Sequence, residues 1–301
     1  MDKTSLPIYN INSYKNQDRF HKYFYIKSFQ QHINDYDFIS KPHKHDFFLL
    51  VYVNKGTGSH TIDFDTYRML PGSFFFISPG QVHSWELSED IDGYILFFSA
   101  DYYMLYFSQK NLYNFPFFHT IHNKPYLYLE NTLAKRIEKL FVDIRDEFTS
   151  ENFGNDDIIR DYLDILLIQA ARMYRIGQEG IETNSLQRRQ LRLLETLVDK
   201  YYKETKAVAE YAEIMHITAK HLNMICKSSV DQTASELIQA RILLEARRML
   251  IHSGMTVAQI SEELGYTDHS YFNRFFKKHI KLTPEQFRQH STSFSETNSN
   301  S

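Results

Sequence analysis

The carboxyl-terminal part of the chain contains an internal repeat, and this feature constrains the fold more than any other. At a constant offset of 50 residues, the segment 218–238 aligns with 268–288, so that apolar positions fall on apolar ones and polar positions on polar ones. Residues 222–227, for example, align with 272–277. A repeat of this kind predicts two copies of one helical unit.

Capping boxes mark where helices begin in this region, because a hydroxyl at the N-cap is followed three residues later by a carboxylate or an amide. Such boxes begin at Thr233, Thr256 and Thr283. The second copy is predicted to have a helix over 257–264, a turn, and a helix capped by Asp268. The first copy has a helix over 207–215 and a second helix capped by Thr218. Each copy is therefore a helix-turn-helix.

The second helix of such a unit enters the major groove of DNA, with its first turns facing base edges. Some positions in the first turns of this helix are not predicted to be buried and can therefore face DNA. They are Lys220, His221, Asn223 and Met224 in the first copy, and His269, Ser270, Asn273 and Arg274 in the second. Asn223, Asn273 and Arg274 are the best candidates for direct readout, because Asn can pair with adenine and Arg with guanine. Met224 is the weakest, since a thioether offers only an apolar contact. The alternative for each is a solvated surface residue.

Phosphate contacts are expected from basic side chains further along the same helices. These are Lys227, Arg241, Lys277 and Lys278. An uninterrupted helical pattern over 234–253 joins the two copies, roughly 30 Å at the standard rise, which approximates one turn of DNA. Charge permits this function without establishing it: residues 186–301 carry 16 basic and 13 acidic side chains, in a chain whose formal net charge is −3.

The amino-terminal part is rich in Phe, Tyr, Ile and Val from about residue 20 to residue 128. These residues form short runs separated by turns, which is typical of strands in a β-sandwich or small barrel. The runs are 47–53, 60–64, 68–70, 74–77, 82–87 and 94–98.

From residue 131 the apolar period becomes helical, and two amphipathic helices are predicted over about 131–175. The stripe of the first helix is Leu133, Ile137, Leu140, Ile144 and Phe148. Packing on its own domain is the first interpretation of this stripe, and dimerisation with a second copy of the chain is the other. The chain is thus divided into a domain over 1–175, a linker over 176–186, a helical domain over 187–290 and an unstructured tail over 291–301.

The helical part resembles the AraC/XylS (arabinose-regulator) family of bacterial transcription factors. The residues that carry the resemblance are Ile260, Ser261, Glu262, Glu263, Leu264, Gly265, Tyr266, Asp268, Ser270, Tyr271, Phe272, Arg274, Phe276, Lys277, Lys278, Thr283 and Pro284. The resemblance implies a double helix-turn-helix that binds promoter DNA, with RNA polymerase as a further partner.

The sequence departs from the family pattern at several positions. Lys281 and Asp231 stand where the family usually has glycine, and Ala234 stands where proline is common. Because a left-handed Lys costs something like 1 kcal/mol, a differently shaped turn is expected at Lys281.

The strands resemble the cupin-like sensor domain that many members of this family carry. The matching segments are 42–45, 71–80 and 83–85, which include His43, His45, His83 and Trp85. Together with Leu49, these four residues are predicted to line a small-molecule pocket. In metal-binding cupins, the pattern supplies two histidines, a glutamate four or five residues further on, and a third histidine. Here positions 49 and 50, where that glutamate would stand, are both leucine. No metal cofactor is therefore expected, and the histidines either hydrogen-bond an organic effector or simply close the barrel.

The resulting prediction is an α+β chain of two domains: a cupin-like β-barrel or jelly roll with trailing helices, followed by an all-α double helix-turn-helix. Its predicted function is effector-responsive transcription regulation without enzymatic activity. Two alternatives remain, a cupin-type metal enzyme fused to a DNA-binding module and a ligand-independent regulator whose barrel only dimerises.

The single cysteine, Cys226, excludes disulfide scaffolds and thiolate metal clusters. No apolar stretch is long enough for a membrane span, so a cytoplasmic location is expected.

Overall fold

Two five-stranded sheets form the amino-terminal unit. The computed structural model describes residues 7–14, 23–36, 41–104, 112, 115–118, 124–150, 152–176 and 185–297. The strands are β1 (Ile8–Tyr9), β2 (Phe24–Ser28), β3 (His43–His45), β4 (Phe48–Lys55), β5 (Gly58–Ile62), β6 (Asp65–Met69), β7 (Ser73–Ile77), β8 (Val82–Leu87), β9 (Asp92–Phe98) and β10 (Tyr126–Tyr128). One sheet has the order β1-β3-β8-β5-β6 and the other β10-β7-β4-β9-β2. β1 pairs parallel to β3, and the other paired strands are antiparallel.

Both faces of the second sheet are buried, which explains why its strands read as continuous apolar runs. In β4, Leu49 and Val51 point into the layer between the two sheets. Phe48 and Leu50 alternate with them and point to the other face, where they join the apolar cluster that contains the following helices. A strand covered on both sides has no solvent face and shows no polar alternation.

The described residues of this unit form four α-helices: α1 (Phe29–Asp35), α2 (Ala100–Met104), α3 (Asn131–Thr149) and α4 (Asn155–Ile176). α3 and α4 confirm the predicted helical pair, whereas α1 and α2 are too short to show a helical period in the sequence. Ile137, Ile144 and Phe148 are buried in the cluster beneath the sheet, and Leu140 packs against it. The side chains of Ile137, Ile144 and Phe148 are therefore unavailable to a second copy, which corrects the dimerisation hypothesis for these three residues. Leu133 is 44% exposed.

The second unit is helical. The chain divides into compact units over Pro7–Gly180 and Ile181–Ser301. The described residues of the second form α5 (Ser185–Tyr201), α6 (Val208–Ile214), α7 (Ala219–Val230), α8 (Ala234–His252), α9 (Val257–Glu263), α10 (His269–Ile280) and α11 (Pro284–Thr297). α11 continues to Thr297, which corrects the predicted unstructured tail up to that residue. Residues 298–301, and residues 177–184 of the predicted linker, lie outside the described part of the chain.

The predicted caps are confirmed by their hydrogen bonds. The Thr218 hydroxyl accepts from the backbone N–H of His221, and the Asp268 carboxylate accepts from those of Ser270 and Tyr271. The three capping boxes are also formed, at Thr233, Thr256 and Thr283. These local bonds explain why the helix starts could be predicted from sequence spacing alone.

The turns that end α7 and α10 keep a left-handed residue despite the absence of glycine. Asp231 has φ 53° and Lys281 has φ 69°. The expectation of a differently shaped turn at Lys281 is therefore wrong. In each case the cap residue donates its backbone N–H to a carbonyl four residues earlier, that of Lys227 or Lys277. These backbone hydrogen bonds thus hold the two cap residues in a strained, left-handed conformation.

None of the helices in the described part of the chain combines the length and the apolar character that a membrane crossing requires.

Candidate DNA-binding and effector sites

Helix α7 is the second helix of the first helix-turn-helix, and it offers few exposed polar side chains. Lys220, Met224 and Lys227 are exposed, and His221 is half-buried. The Lys227 ammonium donates to the carbonyl of Asp231 at 3.0 Å, which holds it near the end of the helix. Two lysines are thus the cations that this helix presents.

Asn223, predicted to read a base, is instead engaged with the protein backbone. Its amide oxygen accepts from the N–H of Ala234 at 3.0 Å, and its amide nitrogen donates to the carbonyl of Ala219 at 3.1 Å. The bond to Ala234 fastens α7 to the first turn of α8. This corrects the assignment of Asn223 to direct readout, because the two bonds hold its amide group against the backbone of α7 and α8.

Helix α10, the second helix of the second copy, presents a larger polar face. Its exposed side chains among the predicted residues are Ser270, Asn273, Arg274, Lys277 and Lys278. Arg274 is 70% exposed, and its guanidinium lies 3.7 Å from the Asp268 carboxylate at the N-cap. His269 is half-buried, with Nε2 3.4 Å from a carboxylate oxygen of Glu262. The structure therefore leaves the side chains of this face accessible to a partner.

Tyr271 also lies in the first turns of α10, and sequence reasoning did not include it as a candidate. Its side chain is 55% exposed. Its ring lies 5.9 Å from that of Tyr266, centroid to centroid. The repeat could have identified it, because the offset of 50 residues places Tyr271 over His221, which was a candidate.

Arg241 lies inside the helical unit and cannot contact phosphate as predicted. Its guanidinium is 2.6 Å from the Asp199 carboxylate and 3.0 Å from that of Glu245. Arg248 contacts the same Glu245 carboxylate at 3.1 Å. The guanidinium of Arg241 also lies over the ring of Tyr202, 4.2 Å from its centroid. This buried network ties α5 to α8 and has a structural role.

In the barrel, strand pairing brings the predicted histidines together. His43 on β3 is directly opposite His83 on β8, and the His45 and His83 Nε2 atoms are 2.8 Å apart. Trp85 lies beside them, with its ring centroid 4.8 Å from that of His83. Leu49 belongs to the same layer between the sheets. The structure therefore brings together the three predicted histidines and Trp85, and it places Leu49 in the same apolar layer.

A fourth histidine, His60 on β5, completes the cluster and was missed. Its Nε2 lies 3.0 Å from Nδ1 of His83. His60 and Ile62 are both buried, so they share the inward face of β5. That alternation was the available signal, but it did not reveal which residue of another strand His60 would meet.

Four nitrogens in this cluster have no hydrogen-bond partner among the described residues. They are Nε2 of His43, Nδ1 of His45, Nδ1 of His60 and Nε1 of Trp85. Burial lowers the pKa of His43, and it holds the pKa values of His45, His60 and His83 well below their usual range. The rings are therefore neutral at pH 7, and their lone pairs could hold a metal ion or a hydrogen-bond donor.

Two family models match the chain, one in each unit. The model described as an AraC-like ligand binding domain matches residues 27–161. The model described as a helix-turn-helix domain matches residues 211–290. The chain is an AraC-type regulator.

Relatives of this AraC-type regulator span most of its length. It is 20% identical over 249 residues to the HTH-type transcriptional activator RhaR of Enterobacter sp. (strain 638), covering 83% of this chain and 87% of the relative. It is 22% identical to the lactose operon transcription activator of Staphylococcus xylosus, covering 79% and 82%. A similar solved structure is ToxT from Vibrio cholerae, with 12% identity, a TM-score of 0.41, and coverage of 89% of this chain and 98% of that one.

The two matches agree with the predicted fold class, an α+β chain in which a cupin-like sheet domain accompanies a helical DNA-binding domain. The AraC-type regulator is thus a DNA-binding transcription regulator with a ligand-binding amino-terminal domain. The histidine cluster lies within the part matched by the ligand-binding model, and α7 and α10 lie within the part matched by the helix-turn-helix model.

Proposed function

We propose that this regulator reads promoter DNA with α7 and α10 in adjacent segments of the major groove, and that α10 makes most of the base contacts. The observation that carries the proposal is the exposed polar face of α10 near its Asp268 cap. On that face Asn273 and Arg274 are exposed and would contact base edges, while the exposed Lys277 and Lys278, further along the helix, would contact phosphate.

The length of α8 supports the placement of both helices on one duplex. α8 has 19 residues. At the standard rise this is about 28 Å, close to the repeat of B-DNA, which is roughly 34 Å. One chain then contacts two successive groove segments. Because the relatives are named transcription activators, RNA polymerase is the expected protein partner at the promoter.

The effect of single side chains on DNA affinity tests this assignment. Arg274→Ala should cost about 1 to 3 kcal/mol on the cognate site and relax preference at one base pair. Lys277→Ala should weaken binding to cognate and random DNA alike and reduce the salt slope by about 1. The measurement is fluorescence anisotropy of both DNAs across a salt series, after the cognate site has been selected from genomic fragments.

Lys139→Ala serves as the matched control for that series, because Lys139 is an exposed lysine on α3 of the other unit. Its affinity should equal that of the unmodified protein. Equal losses on cognate and random DNA for Arg274→Ala would contradict its role as a base-reading residue.

In the barrel, the proposed effector site is formed by His43, His45, His83, Trp85 and Leu49. The unpartnered buried nitrogens support it, since a bound effector would supply their missing partners. A ligand that binds one conformation more tightly than another shifts the equilibrium between them, which is how occupancy would alter DNA binding.

Thermal unfolding of the full chain across a panel of metabolites and ions tests the effector function. A genuine effector should raise the melting temperature and change the affinity for promoter DNA. If no compound does so while promoter binding persists, the barrel functions only in dimerisation or packing.

A further inference from the structure

The histidine cluster has more buried nitrogens than its hydrogen bonds can satisfy. His45, His83 and His60 form a chain of two N···N contacts, at 2.8 Å and 3.0 Å. A neutral imidazole has one donor and one acceptor. Whichever way the protons are arranged, one end of such a chain keeps an N–H without an acceptor and the other end keeps a lone pair. An unsatisfied buried group costs about 1 to 3 kcal/mol.

His43 adds a lone pair whose position is determined by its own backbone contact. Its Nδ1 lies 2.7 Å from the carbonyl oxygen of Lys41, which can only accept, so Nδ1 carries the proton. Its Nε2 is therefore unprotonated, and it has no partner among the described residues. One ring nitrogen from each of His43, His45 and His83 lies within 4.8 Å of the other two.

The surroundings of the cluster favour a small occupant. His45 stacks on Phe47 with ring centroids 4.4 Å apart, and His60 lies 4.8 Å from Phe75. His43, His45, His60 and His83 are each at most 2% exposed. An organic effector commonly needs a cavity of roughly 300 Å³ or more, whereas a metal ion needs only a point about 2 Å from several nitrogens.

We propose that His43, His45 and His83 bind one divalent transition-metal ion in the barrel, and that His60 orients His83 through its Nδ1. This proposal deepens the effector function proposed above and rests on it. Imidazole nitrogens suit Zn²⁺, Co²⁺ and Ni²⁺, and three of them leave a fourth position of a tetrahedral ion open.

Small ring rotations bring the three nitrogens to bonding distance. In a tetrahedral site with bonds of 2.0 to 2.1 Å, ligand nitrogens are about 3.4 Å apart. The His45–His83 pair at 2.8 Å must open slightly. The ring of His43, whose ligand nitrogen lies within 4.8 Å of the other two, must move closer to them. The ion would then replace the N···N contact of that pair.

The second layer of the site matches what metal-bound histidines require. Such histidines usually donate their other N–H to a fixed acceptor. His43 donates to the Lys41 carbonyl, and His60 offers Nε2 as an acceptor for Nδ1 of His83. Since the three ligands are neutral, the ion keeps its positive charge, and water or the anionic group of a second molecule would occupy the open position.

Metal binding to the full chain, stripped with chelator, tests the proposal without DNA. Titration with Co²⁺, followed by visible absorption, should show one ion per chain with the intense d–d bands of a tetrahedral site. Calorimetric titration with Zn²⁺ should give the same stoichiometry. His83→Ala and His43→Gln should each lose this site, while His221→Ala, which removes a histidine of α7, should bind as the unmodified protein does.

The role of His60 is tested by a matched pair of substitutions. His60→Gln keeps an acceptor for Nδ1 of His83 and should bind Co²⁺ within a few-fold of the unmodified protein. His60→Leu removes the acceptor and should weaken binding by about 10- to 100-fold. Equal affinities of the two variants would overturn the positioning role, provided that circular dichroism shows both to be folded.

Absence of Co²⁺ and Zn²⁺ binding by the unmodified protein, or binding unchanged by His83→Ala and His43→Gln, would overturn the metal site. Promoter binding is measured on the same preparation. If DNA binding persists without metal binding, only the metal site fails. If metal binds without altering the affinity for promoter DNA, and an organic compound does alter it, the ion is not the effector. That result would overturn the proposal that the metal ion is the effector.

Discussion

Asn223 and Asn273 occupy the same place in the repeat, but their neighbours give them different roles. The offset of 50 residues that aligns them also aligns Ala234 with Pro284. Ala234 donates its backbone N–H to the Asn223 side chain, whereas proline has no N–H to donate. Asn273 remains exposed. One alanine in place of proline therefore turns a candidate base-reading residue into a clamp between two helices.

This difference predicts opposite results for the two alanine substitutions. Asn223→Ala removes the bond to Ala234 and should lower the free energy of unfolding by about 1 kcal/mol. Asn273→Ala should leave stability unchanged and relax DNA preference at one base pair. Urea unfolding and DNA titration of both variants separate the roles. A loss of stability for Asn273→Ala as large as that for Asn223→Ala would contradict the interpretation.

At the level of elements, the turn between α9 and α10 is constrained by its contact with the turn before α6. Gly265 has φ 72°, and a Cβ at this position would lie 1.9 Å from the carbonyl oxygen of Lys203. Lys206 also donates from its ammonium to the Gly265 carbonyl at 3.1 Å. The second helix-turn-helix is thus held against the segment that precedes the first, and only a residue without a side chain allows this approach.

Gly265→Ala should therefore destabilise the helical unit by more than about 2 kcal/mol, combining left-handed strain with a backbone clash. Gly154→Ala is the matched control, since Gly154 has φ 76° but no atom of the described residues lies within 4 Å of the place that its Cβ would take. The control should lose only about 1 kcal/mol. Thermal unfolding of both variants gives the comparison. Equal losses of stability would show that the close approach of Gly265 to the Lys203 carbonyl does not add to the cost of the substitution.

At the level of the whole molecule, the buried histidines of one unit and a buried glutamate of the other have pKa values shifted in opposite directions. In the barrel unit, burial lowers the pKa of His32 to about 3, and His45, His60 and His83 shift in the same direction. In the helical unit, burial raises the pKa of the Glu195 carboxyl to about 8, and the nearby Asp199 adds to this shift. The contributions of these groups to the stabilities of their units therefore depend on pH with opposite signs.

The barrel unit should lose stability as the pH falls below about 6.5. The unfolded chain then binds protons that the buried histidines in the folded state do not, so the free energy of unfolding drops by up to about 1.4 kcal/mol per pH unit for each histidine. Trp85 is the single tryptophan of the chain and is buried in this unit, so its fluorescence reports this transition. An unfolding midpoint, measured by this fluorescence, that is unchanged between pH 7 and pH 5 would contradict the prediction.

Glu195 should act in the opposite direction. Between its unfolded pKa near 4.5 and its folded value of about 8, the folded carboxyl holds a proton that the unfolded one has lost. Its contribution to stability is full below this window and declines as the pH rises through it. Glu195→Gln should remove the decline, so the variant should gain in melting temperature over the unmodified protein from pH 5 to pH 8. A constant difference across that range would refute the assignment.

The sequence by itself determined the features that depend on near neighbours along the chain. The helices of the repeat, their caps at Thr218 and Asp268, and the paired helices α3 and α4 are all specified by spacings of three or four residues, and the structure contains them. The same is true of most strands, since short apolar runs between turns identify them without knowledge of their partners.

Tertiary structure alone decided what distant side chains do to one another. His60 meets His83 because β5 and β8 pair in one register, and Arg241 meets Asp199 because α5 packs on α8. A residue's pattern shows that it faces inward but does not show which residue of another element lies opposite. Contacts between remote segments depend on how the elements pack, and therefore the histidine cluster, the buried arginine and the role of Asn223 emerged only from the folded chain.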